Sequence, residues 1–114
     1  MATKDLQVDA RSLREPLHLE RPPEKNHPHS RQRDGAWERY AAPRGRVEPL
    51  SGREFWQAQE VGATTSHRVT IRYVSGLSSE DRVVFRGRHL HITSIVNVEE
   101  RDRFYILLCT EKSS

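Results

Sequence analysis

The run Phe104-Tyr105-Ile106-Leu107-Leu108-Cys109 limits the possible folds more than any other part of the sequence. Side chains of an extended chain alternate in direction, so Phe104, Ile106 and Leu108 would face one way and Tyr105, Leu107 and Cys109 the other. A strand that is apolar on both faces has to be covered on both. In 114 residues, a sheet closed into a barrel with a helix packed outside, or contact with a neighbouring subunit, meets that demand.

The upstream pattern supplies the rest of the sheet. Val69, Ile71 and Tyr73 alternate with Arg68, Thr70 and Arg72, the signature of a strand with one buried and one solvated face. Arg82 to Phe85 and Arg88 to Ile95 read as a hairpin turning through Arg86-Gly87, with glycine supplying a positive φ, and Val96 to Val98 can prolong it. Glu99 to Asp102 reads as a charged turn. Leu17 to Glu20 alternates as a first strand, with Pro16 tolerable at its start or on an edge. Trp37 and Tyr40 suit a short strand, and Val47 lies inward on the next. The fold class is therefore mainly β, a small antiparallel barrel or sandwich. Its expected core is Phe55, Val69, Ile71, Tyr73, Val83, Phe85, Leu90, Ile92, Phe104, Ile106 and Leu108.

One short helix interrupts the strands, over roughly 51–62. Ser51 and Glu54 have capping-box spacing, in which the hydroxyl accepts the N3 amide and the carboxylate accepts the N-cap amide. Phe55, Trp56, Ala58 and Val61 form a partial apolar stripe, and Gly62 suits the stop. Adjacent aromatics sit about 100° apart on a helix, so Phe55 is assigned to the core and Trp56 to partial exposure.

Two segments lack the apolar content to order themselves. Met1 to Ser12 reads as a flexible arm preceding a single domain over 13–114. Arg21 to Gly35 carries three prolines and no large apolar residue, which excludes a central strand or a helix and leaves a long flexible loop. Only 34% of the residues are hydrophobic, and most of the large ones follow Val47, where the core has to form. A formal charge of +3 with interleaved acids and bases does not by itself make a nucleic-acid binder.

Chemistry-bearing constellations are sparse. His27 with His29, and His89 with His91, are two-residue spacings that could offer two zinc ligands, but neither pair has a nearby third. No Gly-rich phosphate loop, nucleophile elbow or triad context is present, so neither cofactor nor catalysis is expected. Cys109 has no disulfide partner and reads as a core residue of a reducing compartment. No stretch approaches the roughly 20 apolar residues of a membrane span, and Met1 to Val8 has no apolar region of a secretory signal, so use in the cytoplasm or in an assembly is expected. The strand arginines read either as a solvated mixed-charge surface or as partners for acidic residues of a neighbouring subunit. The loop cations suit weak contact with DNA phosphates.

Taken in order, Val47-Glu48-Pro49-Leu50-Ser51-Gly52-Arg53-Glu54-Phe55-Trp56, then Ser66 to Tyr73, Arg82 to Arg88 and Ile95 to Arg101, resemble the phage head-tail adaptor family, the head-closure or stopper proteins of long-tailed phages. The resemblance covers 46–108 well and 13–109 loosely. It implies a non-enzymatic virion protein, assembled in the host cytoplasm. Such a protein forms a ring of about twelve copies, or about six, in the neck. Its implied neighbours are a portal or adaptor ring above, a tail terminator or tail tube protein below, and packaged double-stranded DNA in the channel, with no membrane. On this resemblance Lys25, His27, His29, Arg31 and Arg33 face the channel. Trp56, Arg53, Arg68, Arg72, Arg86 and Arg88 are candidates for subunit or ring contacts. The alternative is a monomeric β-barrel module holding nucleic acid or peptide through its basic hairpin.

Overall fold

A computed structural model describes residues 8–23, 36–60 and 65–111, with the helix residues 55 and 58–60 described by their backbone alone. Eight strands form one antiparallel sheet: β1 (Glu15–Pro16), β2 (His18–Arg21), β3 (Glu38–Ala41), β4 (Arg44–Pro49), β5 (His67–Arg72), β6 (Arg82–Phe85), β7 (Arg88–Asn97) and β8 (Phe104–Glu111). Helix α1 (Gly52–Glu60) bridges β4 and β5. The strand order is β1-β4-β5-β8-β7-β6-β2-β3.

That order explains the curl. Only Leu17 separates β1 from β2, and only Ala42 and Pro43 separate β3 from β4, yet these strands lie at opposite ends of the sheet. The Leu17 amide donates to the Pro43 carbonyl at 3.0 Å, joining the first pair, β1–β4, to the last, β2–β3. The sheet is thus bent round on itself as a curled half-barrel. Gly45 sits at this seam. A Cβ there would lie 2.6 Å from Leu17 Cδ1, 2.7 Å from the Thr70 carbonyl oxygen and 2.9 Å from Ile71 Cγ2, so only glycine permits so close an approach.

The concave face holds the main core, built from Leu17, Leu19, Val69, Ile71, Val83, Phe85, Leu90, Ile92, Leu107 and Cys109. Leu17 apart, its residues come from β2, β5, β6, β7 and β8, with Tyr40 and Ala41 of β3 and Val47 of β4 packed against them, so the curl gathers strands from both ends of the sheet around one core. Burial pushes the Cys109 thiol up to about 12, so it behaves as a small hydrophobe. On the convex face a second cluster of Leu13, Val98, Phe104 and Ile106 is joined by Val8, Ala10 and Val96. Strand β8 is therefore covered on both faces. The outer cover differs from the expected one: it is the segment 8–13, with a 3-10 turn at Ala10–Ser12, rather than the helix.

Several further expectations need correction. Val8 to Ser12, read as part of a flexible arm, pack on the convex face; residues 1–7 lie outside the described residues. Thr70, assigned to a solvated face, is fully buried, because its neighbours across the sheet are Arg46 and Ile106, beneath that same segment. Tyr73 is not core. It lies past the end of β5, 38% exposed, tilted against Tyr105 with ring centroids 5.1 Å apart. Leu108 is only half-buried, since it pairs with Arg68 and Ser94, beyond the apolar cover.

The turns follow from local chemistry. Arg86 (φ 50°) and Gly87 (φ 76°) are both left-handed, the combination that a two-residue hairpin needs to match strand twist. Ser51 and Glu54 make the capping box: the Glu54 amide donates to Ser51 Oγ at 3.4 Å, and the Ser51 amide to Glu54 Oε1 at 3.3 Å. The Phe55 side chain and the proposed stop at Gly62 lie outside what is described.

Candidate assembly surfaces

Three connections, 22–37, 73–81 and 98–103, leave the sheet at one end, as the antiparallel register requires. Helix α1 and the β6–β7 turn lie at the other.

The root of the 22–37 connection is held by charge. Glu20 accepts from Arg39 Nε and Arg82 Nε, each at 2.8 Å. Burial drives the Glu20 carboxyl upward, but the two guanidinium hydrogen bonds and charges outweigh it and hold the group below the usual carboxylate range. Arg82 also lies 4.1 Å from the Trp37 ring centroid, and Arg21 lies 4.2 Å from that of Tyr40. Tyr40 donates to buried Asp81 at 2.5 Å, and Asp81 in turn accepts the Ser78 amide at 2.9 Å. Both strands that carry the connection are thereby clamped to the start of β6. Nothing local in the sequence signals this, because Glu20 and Arg82 stand 62 positions apart.

At the helix end, Arg88 makes a two-pronged pair with Glu111, both contacts at 2.7 Å, and touches His67 Nε2 at 3.3 Å. Arg86 pairs with Glu15 at 3.0 and 3.2 Å, and Arg68 pairs with Glu54 of α1. The acidic partners of these three arginines lie in the same chain. Arg72 is exposed, its guanidinium 5.7 Å from the Phe104 ring centroid. Arg53 is exposed on α1, and Trp56 beside it is 68% exposed. Lys25, His27, His29, Arg31 and Arg33 lie outside the described residues.

His89 and His91 point away from the core, His91 meeting the Trp37 ring edge-on at 5.7 Å. Among the described residues, no three His, Cys, Asp or Glu side chains gather in a metal-binding group. No described helix is long and apolar enough to cross a membrane. What the described surface offers is ion-paired and aromatic contact area around a rigid curled sheet, the makings of a structural assembly protein.

The comparisons with known proteins give that class its family. The chain belongs to the phage head completion protein family, whose model matches residues 8–112. Among solved structures, it is similar to the solution structure of protein SF1141 from Shigella flexneri 2a, with a TM-score of 0.68 and 22% identity, covering 94% of this chain and 99% of that one. That likeness speaks for the fold alone. No curated protein matches the chain. It is therefore a virion protein with a structural role.

Proposed function

We propose that the chain is a head-closure subunit, forming a ring in the phage neck between the portal or its adaptor and the tail, retaining packaged DNA and presenting the surface on which the tail docks. The family match over 8–112 carries this reading. A closed ring repeats one heterologous contact until no edge remains, so modest contact areas suffice. Exposed Trp56, with Arg53 beside it and Arg72, supplies such area. Arg68, Arg86 and Arg88 already have carboxylate partners, so in a ring they would add contacts without adding unpaired charge.

The loop over 21–35 would face the channel, with Lys25, Arg31 and Arg33 toward phosphates and His27 and His29 beside them. The clamp of Glu20, Arg39 and Arg82 supports this, because it fixes where the loop leaves and rejoins the sheet. The alternative, a monomer gripping nucleic acid or peptide through its basic hairpin, loses ground because Glu15 and Glu111 offset the hairpin arginines.

Adding the purified chain to portal-adaptor complexes should produce one extra ring by electron microscopy. A chain that adds none, yet binds DNA in a salt-sensitive manner, would favour the monomeric module. Deleting Glu24 to Arg33 should leave the melting temperature nearly unchanged while impairing DNA retention. Unfolding of the deletant would rule out this loop assignment.

A further inference from the structure

His67 opens β5 on the concave face, where it continues the inward row of Val69 and Ile71, and its register partners are Pro49 and Cys109. It is buried, at the end of the core nearest α1. Its ring nitrogens have distinct neighbours: Nε2 lies 3.3 Å from Arg88 Nη2, and Nδ1 lies 2.8 Å from Ser66 Oγ.

The chemistry of those neighbours fixes the proton. A guanidinium can only donate, so Nε2 has to accept and the ring hydrogen sits on Nδ1. Nδ1–H then donates to Ser66 Oγ, which also accepts the Glu111 amide at 2.9 Å. The remaining hydroxyl hydrogen has the Cys109 carbonyl before it, at 3.4 Å. Every donor in the chain Arg88, His67, Ser66, Cys109 thus has an acceptor, but only while the imidazole is neutral. A proton on Nε2 would face the Arg88 guanidinium and destroy its acceptor. The Glu111 carboxylate is engaged by that guanidinium in its two-pronged pair, Oε1 accepting from the same Nη2 that His67 faces. Arg68, the next residue along β5, is turned to the other face, toward Glu54.

We propose that His67, Ser66, Arg88 and Glu111 form a proton-operated latch, closed when His67 is neutral, that ties the return from α1 to the β6–β7 turn and the end of β8. Ser66 also accepts the Leu50 amide through its carbonyl at 2.9 Å, so the latch holds both ends of the helical excursion against the sheet. Protonating His67 loosens the segment bearing Trp56, without touching the clamp at the opposite end.

Burial and the neighbouring Arg88 hold the His67 pKa below that of an ordinary histidine, outweighing the opposite pull of Glu111. With the folded value depressed, the unfolded chain binds the proton first. The contribution of His67 is then complete above about pH 6.5 and falls away as the pH drops toward the folded value, by up to tenfold in the folding constant per pH unit. The carboxylates held low, Glu20, Glu54 and Glu111, begin to lose their contribution only as the pH falls below the ordinary carboxylate value near 4.5, so the His67 window opens first on acidification.

The test uses the full chain. Nitrogen NMR at pH 7.5 should show the His67 ring as the Nδ1–H tautomer. Between pH 7.5 and 5.5, after correction for intrinsic rates, exchange of the Ser66 and Glu111 amides should accelerate by up to about tenfold, while the Ser78 amide, at the clamp, should not. His67→Gln, whose side-chain oxygen can still accept from Arg88, should abolish that acceleration. An Nε2–H tautomer, or equal acceleration at Ser66, Glu111 and Ser78, would overturn the latch. So would a His67→Gln protein that responds to pH as the parent does. Should that variant not fold, the tautomer and the parent's exchange pattern decide the matter on their own.

Discussion

Ile106 and Leu107 are neighbours in one strand and of nearly equal size, yet they serve different parts of the molecule. Leu107 points into the concave core, where ten buried side chains from across the curled sheet interlock. Ile106 points outward, into a cluster roofed by a single short segment whose polar ties to the sheet region include Arg46 Nη1 to Ser12 Oγ at 3.1 Å and Arg44 Nη1 to the Arg14 carbonyl at 2.9 Å. Beneath that roof, Thr70 Oγ1 is buried without a hydrogen-bond partner among the described residues, and Arg46 Nε meets Glu48 Oε1 as an ion pair at 3.2 Å. The inner face is built by packing, with the His67 contacts confined to its end nearest α1. The outer face is a compromise, part apolar patch and part charge, with Glu20 turned outward beside inward Leu19. The comparison teaches that one strand can be apolar on both sides without both sides bearing equal weight in the fold.

The sharpest test of the contrast is to truncate the two neighbours separately. Leu107→Ala should cost about 3–4 kcal/mol and Ile106→Ala about 2 kcal/mol, since a cavity under a thin cover collapses more readily. Urea unfolding measures both, and an Ile106 cost equal to the Leu107 cost would make the outer cluster a second core. Gly45→Ala tests the curl itself. Two of its three clashing atoms belong to packed core side chains and one to backbone, so a loss of about 2–3 kcal/mol is expected from overpacking. A melting temperature matching the parent's would mean that the seam can open to admit a methyl group.

The charged part of the outer face should respond less. Glu20→Ala leaves the half-buried Arg82 without its carboxylate, while the more exposed Arg39 is rehydrated, so about 2 kcal/mol is expected rather than the full cost of a broken buried pair. Because the folded pKa of Glu20 is depressed, its contribution is complete above the unfolded value near 4.5 and disappears as the pH falls through the folded one. Stability curves of parent and variant should therefore converge in acid, and parallel curves down to pH 2 would remove the ion pairs from the account. The smallest effect belongs to the helix cap, where Ser51→Ala should cost ~1 kcal/mol. The helical signal in circular dichroism would report it, and an unaltered melting temperature would show that α1 starts elsewhere or contributes nothing to the body.

Much of this was legible in the chain because it depends on neighbours in sequence. The Ser51/Glu54 cap, the Arg86-Gly87 hairpin and the two-faced strand at Phe104 are local patterns of spacing and alternation. Thr70 and Tyr73 were misread for one reason: alternation assigns a face but cannot say what covers it. Leu108 failed in the same way, since its polar neighbours Arg68 and Ser94 come from other strands.

By itself, the sequence determined the class of fold, the place of the helix and the resemblance to a phage neck protein. Backbone hydrogen bonding and the alternation of side chains act over a few residues, and they leave a record in residue order. Only the tertiary structure decided that Leu17 would meet Pro43 and tie the two ends of the sheet together, that Glu20 would meet Arg82, and that His67 would meet Arg88 while Arg88 pairs with Glu111. Those contacts join positions tens of residues apart, and they exist because a curled sheet brings remote strands edge to edge.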